Sequence, residues 1–313
     1  MTGFKRLKND GGTVVELETD MLTMKTEPKV LFPKQGAGSF ENHEFFEASS
    51  IRKDGETYVF VYSSRHNHEL CYAVSERPDG GFTFGGTLVS LGDLFLDGRE
   101  SEKDGLNYLG NTHGGLLNIG KDWYIFYHRQ TNRHSYSRQA CAQKLEHIAE
   151  GKFRQAEITS CGLNGEALEG LGVYPAYIAC NLWSKDGVGR YDGKHPGKTL
   201  KSHPYFTQSG KDREDQGDQF IANMQDGAVA GFKYFRLGQA EQIWIETRGM
   251  GTGKVEVSAE PDFGNLCAVF DVTPQKEWKW MRTSFCCTAG VKALYFRFRG
   301  TGKTDFRAFR LEQ

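Results

Sequence analysis

The chain of 313 residues carries 39 lysines and arginines against 40 aspartates and glutamates, which leaves a formal net charge of −1. This balance provides no positive surface for nucleic acid or for an anionic membrane, and no apolar run reaches the roughly 20 residues that span a bilayer. The seven cysteines are scattered and odd in number, so they form neither a disulfide framework nor a zinc-binding pattern and are expected to be reduced core thiols.

The composition favours an all-β protein. Aromatic residues make up 13% of the chain and glycines number 38, as expected for short strands joined by tight turns. Alternating apolar and polar residues predict strands at several places, namely residues 57–63, 123–128, 242–247, 254–259 and 293–298. No helix of ordinary length is predicted.

A repeat of strands organises the first half of the chain. Residues 13–32 predict an outer strand, a polar turn and an edge strand. The next two stretches, residues 47–62 and 113–128, carry apolar residues at corresponding positions when they are aligned. Glu47 and His113, 66 residues apart, are the first residues of the two aligned stretches. Each is followed by a strand around a cysteine and an edge-like stretch, so the repeat is roughly 66 to 71 residues long. This period predicts β-propeller blades with generous loops.

The repeat also predicts where a site lies. The first strand of a propeller blade follows the central channel, so Glu47 and His113 are expected to be near-neighbours there. Residues 13–32 match only the later half of a repeat, so the chain is expected to enter partway through a blade. With residues 174–183 supplying further strand material, the count is about three and a half blades, below the four of a small closed ring. The predicted propeller is small and irregular, or incomplete.

A domain boundary is predicted at residues 184–202, which are rich in glycine and charge and lack apolar periodicity. It divides the chain into a partial propeller at residues 1–190 and a second domain at residues 203–313. The predicted strands of the second domain are about 8 to 12 residues apart, which favours a β-sandwich or jelly roll.

Several motifs of the first domain resemble those of a known family, and they lie at residues 45–53, 110–115, 123–129, 137–141, 159–164 and 174–182. They resemble glycoside hydrolase family 43, the five-bladed arabinofuranosidases and β-xylosidases, over roughly residues 13–184. The later part more loosely resembles a family 6 carbohydrate-binding module. Together these likenesses imply an N-terminally incomplete hydrolase propeller followed by a sugar-binding sandwich.

The resemblance implies an inverting mechanism with a general acid, a general base and a third carboxylate that tunes the acid. Glu47 matches the acid, and Phe45 and Phe46 are expected to provide apolar surroundings that keep such a carboxyl protonated. The base and the tuning carboxylate lie, in the family, on channel strands that are expected to be missing here. Asp10 and Asp20 precede Glu47 but face away from the axis in the repeat, so neither is a good substitute.

The same resemblance assigns further residues of the propeller. His113 matches a channel histidine that helps to hold a calcium ion or its water, but calcium prefers oxygen ligands, and a hydrogen-bonded histidine without metal is the alternative. Arg138 matches an arginine that holds sugar hydroxyls, with an exposed arginine at a blade edge as the alternative. Phe46 and His128 are further substrate-binding candidates, and His128 alternatively packs inside its blade.

The sandwich has candidate residues of its own. Asp305 resembles a late aspartate that binds structural calcium in such modules. Sugar recognition would rest on aromatic faces that stack against sugar rings. The possible platforms are Tyr234, Trp244, Trp278 and Trp280.

The leading hypothesis is a glycoside hydrolase of the arabinofuranosidase or β-xylosidase type, with a plant cell-wall polysaccharide such as arabinoxylan, or its oligosaccharides, as partner. The competing hypothesis is a non-catalytic carbohydrate-binding protein, or an inactive fragment that needs blades from an oligomer or a complementing chain. The first residues contain no apolar core of a signal peptide, and a truncated start would have lost one, so the compartment is left open.

Overall fold

A computed structural model describes residues 11–190, 200–211 and 217–313. Regular structure in these ranges is almost entirely strand, with three short 3-10 helices at Glu102–Asp104, Gly162–Asn164 and Ala176–Ile178. The strands are β1 Gly11–Val14, β2 Lys29–Pro33, β3 Phe45–Asp54, β4 Thr57–Ser64, β5 Glu69–Ser75, β6 Thr83–Ser90, β7 Gly114–Ile119, β8 Asp122–Thr131, β9 His134–Leu145, β10 His147–Ala149, β11 Lys152–Phe153, β12 Leu168–Glu169, β13 Gly172–Pro175, β14 Asn181–Trp183, β15 Tyr205–Gln208, β16 Gln219–Met224, β17 Val229–Leu237, β18 Gln242–Gly249, β19 Thr252–Ser258, β20 Leu266–Val272, β21 Gln275–Ser284, β22 Gly290–Thr301 and β23 Thr304–Glu312.

The all-β prediction is confirmed. Each of the five predicted strands coincides with an observed one, most closely β4 at Thr57–Ser64 and β18 at Gln242–Gly249. Among the described residues, no helix has the length and apolar character needed to cross a bilayer.

The described chain divides into two compact units. The first comprises the described residues up to 90 together with residues 111–128 and 144–156. Its main sheet has four antiparallel strands in chain order, β3-β4-β5-β6. This meander has the strand number and order of a propeller blade. Consecutive residues of β4 and β5 are buried, so both inner strands are covered on both faces and do not show the alternation of a half-exposed sheet.

The smaller sheets of this part of the chain do not confirm a count of three and a half blades. β7 pairs antiparallel with β8, and β9 is next to β8 in a three-stranded sheet. β1 with β2 and β10 with β11 form two-stranded sheets. One aromatic core cluster lies against the four-stranded sheet, and it contains Phe32, Phe40, Phe45, Phe60 and Tyr62.

The second unit comprises residues 91–110 and 129–143 and the described residues from 157 onward. It contains two six-stranded sheets. One has the order β12-β17-β22-β19-β20 with β14 beside β17, and the other has the order β15-β16-β23-β18-β21 with β13 beside β23. Side chains of both sheets form a single core, in which Phe232, Phe296 and Phe309 are at most 1% exposed. Two sheets that enclose one core make a β-sandwich, as the strand spacing predicts.

The predicted domain limits, residues 1–190 and 203–313, differ from the division in the structure. β13 pairs with β23 and β14 pairs with β17, so this stretch completes the sandwich sheets and does not supply a propeller blade. Ala176 and Leu182, both fully buried, belong to the sandwich core. The physical reason is that these short strands find their hydrogen-bond partners among strands that come later in the chain, beyond the glycine-rich stretch.

His203 is a buried histidine of the second unit. Its ring is 1% exposed, and Nδ1 donates to the Pro204 carbonyl oxygen at 2.5 Å. Burial lowers the pKa of His203 to about 4, and the positive charge of Arg133 acts in the same direction. The folded protein therefore holds this imidazole neutral well below the ordinary histidine range.

We expect this histidine to make the protein sensitive to mild acid. Between pH 6.5 and 4 the unfolded chain binds a proton on His203 that the folded chain does not. The free energy of unfolding therefore decreases as the pH is lowered through that window, and it is retained above pH 6.5. The wild type should lose about 3 kcal/mol of unfolding free energy from this group between pH 6.5 and 4, and His203→Gln should lack this loss. Urea titrations of both proteins across this pH range measure it. Parallel pH dependences of the two proteins would contradict this expectation.

Candidate active site

Glu47 lies on an irregular part of β3. The pairing of β3 with β4 shifts register between Phe45 and Glu47 and again between Glu47 and Ser50, and Ala48 has a positive φ of 66°. In a regular strand, residues two apart point to the same face, so Glu47 would follow Phe45 into the core. The bulges change the direction of the side chains, and Phe45 is 6% exposed whereas the Glu47 side chain is 43% exposed.

The expected apolar enclosure of the Glu47 carboxyl is therefore wrong. Phe45 belongs to the aromatic core cluster. The Phe46 ring is contacted by the Lys34 ammonium, 5.7 Å from its centroid. The Glu47 carboxyl is accessible from solvent, since its side chain is 43% exposed.

His113 is the hydrogen-bond partner of Glu47. Its Nε2 lies 2.8 Å from Glu47 Oε1, and the His113 side chain is 34% exposed. The proton between them lies on the imidazole when the carboxyl is ionised and on the carboxyl when that group is protonated. This contact confirms the predicted proximity of the two matching repeat positions.

The backbone around His113 is held closely against its neighbours. The Thr112 N–H donates to the Asn67 carbonyl at 3.0 Å. A Cβ at Gly114 would lie 1.9 Å from the Phe126 carbonyl oxygen, so only glycine fits after His113. These constraints fix the position from which the imidazole reaches Glu47.

His128 adds a second imidazole to the site. Its ring centroid lies 5.3 Å from that of His113, with the ring planes inclined by 65°. The first unit therefore brings together one carboxyl and two imidazoles, Glu47, His113 and His128. The hydrogen-bonded carboxyl and imidazole of Glu47 and His113 can hold and pass a proton.

The structure shows where the other predicted substrate ligands lie but does not assign them a role. Phe46 lies one residue before Glu47 on β3. Arg138 is an exposed residue of β9 within the second unit. The substrate-binding roles of Phe46, Arg138 and His128 stay predictions.

Arg129, one residue beyond His128, has a side chain engaged in structural hydrogen bonds. It is 7% exposed and donates to Gln139 Oε1 at 2.9 Å and to the backbone carbonyls of Tyr177 and Ala179 at 2.6 and 2.5 Å. Its guanidinium carbon lies 3.7 Å from the Phe206 ring centroid. With these contacts occupied, Arg129 is a poor sugar ligand.

The structure shows the surroundings of the two residues predicted to bind calcium, His113 and Asp305. Among the described residues, neither His113 nor Asp305 belongs to a group of three metal-binding side chains. Asp305 accepts from Arg248 Nε and from the Asn223 N–H, each at 3.3 Å. Calcium requires several oxygen ligands around one point, and these contacts do not provide them, so both calcium sites stay predictions.

The tryptophans of the sandwich are partly covered by polar partners. Trp244 Nε1 donates to Glu312 at 2.6 Å, and Trp278 Nε1 donates to Asp218 at 3.0 Å. The Arg248 guanidinium lies 4.3 Å from the Trp278 ring centroid. This cation–π contact lies against one of the predicted sugar platforms, whose roles stay predictions.

A buried ionic network in the second unit was not predicted. Lys233, 3% exposed, contacts Glu157 at 2.6 Å and the buried Asp93 at 3.3 Å. Burial disfavours its charge, yet the surrounding negative groups hold the pKa of Lys233 above its ordinary value. Tyr234 OH also donates to Glu157, at 2.8 Å. Since Asp93, Glu157 and Lys233 are far apart in sequence, no local pattern indicates this network.

Comparisons with known proteins find similarity to carbohydrate-active enzymes. No protein-family profile matches it. It is 42% identical over 306 residues to a xylosidase/arabinosidase of Thermoclostridium stercorarium, covering 96% of this chain and 64% of that protein. It is 24% identical over 275 residues to an arabinoxylan arabinofuranohydrolase of Paenibacillus polymyxa, covering 82% and 39%. The chain thus spans less than two thirds of the length of these curated relatives.

A solved structure is also similar, that of a glycoside hydrolase family 43 arabinoxylan arabinofuranohydrolase from Bacillus subtilis. It has a TM-score of 0.47 and 20% identity, and the match covers 96% of this chain and 59% of that one. The curated sequence relatives confirm the predicted resemblance to the arabinofuranosidases and β-xylosidases.

We expect two arginines close together in the chain to differ strongly in their effect on stability. Arg129→Met removes the Arg129 donor of the buried Ala179 carbonyl and one of the two donors of the Tyr177 carbonyl, and should lower the free energy of unfolding by about 3 kcal/mol. Arg138→Met, at an exposed position, should change it by no more than about 1 kcal/mol. Chemical denaturation of both variants measures the difference, and equal losses would contradict the structural position of Arg129.

Proposed function

We propose that this chain acts as a glycoside hydrolase of the arabinofuranosidase or β-xylosidase type, on arabinoxylan or its oligosaccharides and with inversion at the anomeric carbon. The observation that carries the proposal is the Glu47–His113 hydrogen bond, in a chain related to curated xylosidases and arabinosidases. The names of the relatives support the substrate class, since they include an arabinoxylan arabinofuranohydrolase.

Glu47 is the proposed general acid, which donates a proton to the oxygen of the leaving sugar. Its side chain is 43% exposed, so a glycosidic oxygen can reach the carboxyl. The hydrogen bond to His113 uses Oε1, and among the described residues no partner occupies Oε2. His113 is therefore proposed as a positioning residue that orients the carboxyl, with Oε2 directed to the substrate.

Inversion also requires a second carboxyl, roughly 6.5–9.5 Å from the acid with a water between them. The described polar contacts of Glu47 and His113 are with each other, and His128 is the ring next to them. We assign neither the general base nor the tuning carboxylate to a described residue. Both are proposed to be missing from this chain, and calcium near His113 stays a prediction.

Replacing Glu47 tests the proposed proton donor. Glu47→Gln should lower kcat/KM on arabinoxylo-oligosaccharides by about 10²–10⁴-fold. The loss should be much smaller on 4-nitrophenyl arabinofuranoside or xyloside, because nitrophenolate leaves without being protonated. Initial rates on both substrate types measure this split.

Glu41→Gln is the matched control, since Glu41 is an exposed glutamate six residues earlier and should retain wild-type rates. Equal losses on both substrate types, or wild-type rates for Glu47→Gln, would remove Glu47 from the role of acid.

The alternative is a non-catalytic carbohydrate-binding protein, or a chain that becomes active only with blades from a partner. The second unit favours it, because a two-sheet sandwich with its own core could bind sugar without catalysis. Calorimetry that detects xylo-oligosaccharide binding, together with no turnover at high protein concentration, would select this alternative. Light scattering would then separate a monomeric binding protein from an oligomer.

A further inference from the structure

A second group of chemically reactive side chains lies in the first unit. His43 Nδ1 is 2.9 Å from Glu69 Oε1, and Cys71 Sγ is 3.7 Å from the same nitrogen. The nitrogen, the sulfur and a carboxylate oxygen all lie within 4.8 Å of one another. Within the described ranges, no other three histidine, cysteine or acidic side chains converge in this way.

The strands hold these three side chains in place. Glu69 and Cys71 are two residues apart on β5, so both point to one face of the sheet. β5 is an inner strand, hydrogen-bonded on both sides. The His43 carbonyl accepts from Tyr62 OH at 2.7 Å, and the His43 ring stacks on Phe84 with centroids 4.9 Å apart. The group is therefore preorganised before any ligand arrives.

Among the described residues, the ion pair of the Glu69 carboxyl is with the His43 imidazole. Glu69 is 0% exposed and accepts from Ser64 Oγ at 2.5 Å and Thr87 Oγ1 at 3.2 Å. The folded protein thus buries the Glu69 carboxyl among hydroxyl and imidazole groups, and a carboxylate buried there is costly unless a positive group accompanies it.

The donor atoms match the preferences of zinc. Zinc binds thiolate, imidazole and carboxylate at about 2.3, 2.0 and 2.1 Å, and a tetrahedral arrangement places neighbouring donors roughly 3.3 to 3.6 Å apart. The observed sulfur-to-nitrogen distance of 3.7 Å is close to this value, and the nitrogen-to-oxygen distance of 2.9 Å would need to open by a few tenths of an ångström. Calcium and magnesium prefer oxygen donors, so the sulfur and nitrogen argue against them.

We propose that His43, Glu69 and Cys71 form a Zn²⁺ site with a solvent molecule at the fourth position. Binding is a ligand exchange without oxidation or reduction, in which the Cys71 thiol releases its proton to solvent and the sulfur binds as thiolate. Glu69 and Cys71 are fully buried, whereas the His43 side chain is 22% exposed, so the ion and its water enter from the His43 side.

The site is separate from the proposed hydrolase chemistry but close to it in sequence. His43 precedes Glu47 by four residues, in the segment that leads into β3. A zinc ion would join this segment to β5 and restrain the strand that carries the candidate acid. The proposal does not rest on hydrolase activity, since its readouts are metal binding and spectroscopy.

Cobalt titration tests the site directly. The chelator-treated protein, titrated with Co²⁺, should bind one ion with the thiolate-to-cobalt charge-transfer absorption and the d–d bands of tetrahedral coordination, and Zn²⁺ should displace it. Cys71→Ser should abolish the charge-transfer band, and His43→Gln should weaken zinc affinity at least about tenfold by calorimetry. Zinc should raise the Tm of the wild type and not that of these variants.

Cys286→Ser is the matched control, because Cys286 is an exposed cysteine that could bind metal adventitiously. This variant should retain the charge-transfer band. His43→Gln changes a partly exposed side chain and keeps the test usable if Cys71→Ser fails to fold. Loss of the band in Cys286→Ser, its persistence in both Cys71→Ser and His43→Gln, or its absence from the wild type would overturn the proposal.

Discussion

The candidate site depends on one hydrogen bond, between the Glu47 carboxyl and the His113 imidazole. It forms because two irregular pieces of backbone bring matching positions of the repeat together. The register shifts in β3 release Glu47 from the face that buries Phe45, and the glycine after His113 allows that chain to approach Phe126. Regular strands would direct the carboxyl into the aromatic core, where no substrate could reach it.

A second constraint is that buried charges must be satisfied by nearby groups. Arg129 is satisfied by backbone carbonyls and a glutamine, and Lys233 by two carboxylates within the same unit. Among the described residues, the hydrogen-bond partners of Glu69 are hydroxyls and an imidazole and not a lysine or arginine, so it differs from the other two. This difference distinguishes a cluster that suits a cation from networks whose charges are already paired.

The organisation of the chain follows strand pairing more than composition. A glycine-rich and charged stretch marks a boundary near residues 184–202 in the sequence, but β13 and β14 lie before it and pair with sandwich strands after it. Composition shows where apolar periodicity stops. It does not record which distant strand will supply the hydrogen bonds, because that choice depends on the whole sheet.

The sequence by itself determined the all-β class, the positions of the main strands and the correspondence of Glu47 with His113, since each of these depends on local periodicity. Only the tertiary structure decided that Glu47 is accessible, that Arg129 is buried, that residues 168–183 complete a sandwich, and that His43 meets Glu69 and Cys71. Alternation of apolar residues determines which way a strand faces. Cross-strand pairing and bulges arise from contacts between residues far apart in the chain, which no local pattern contains.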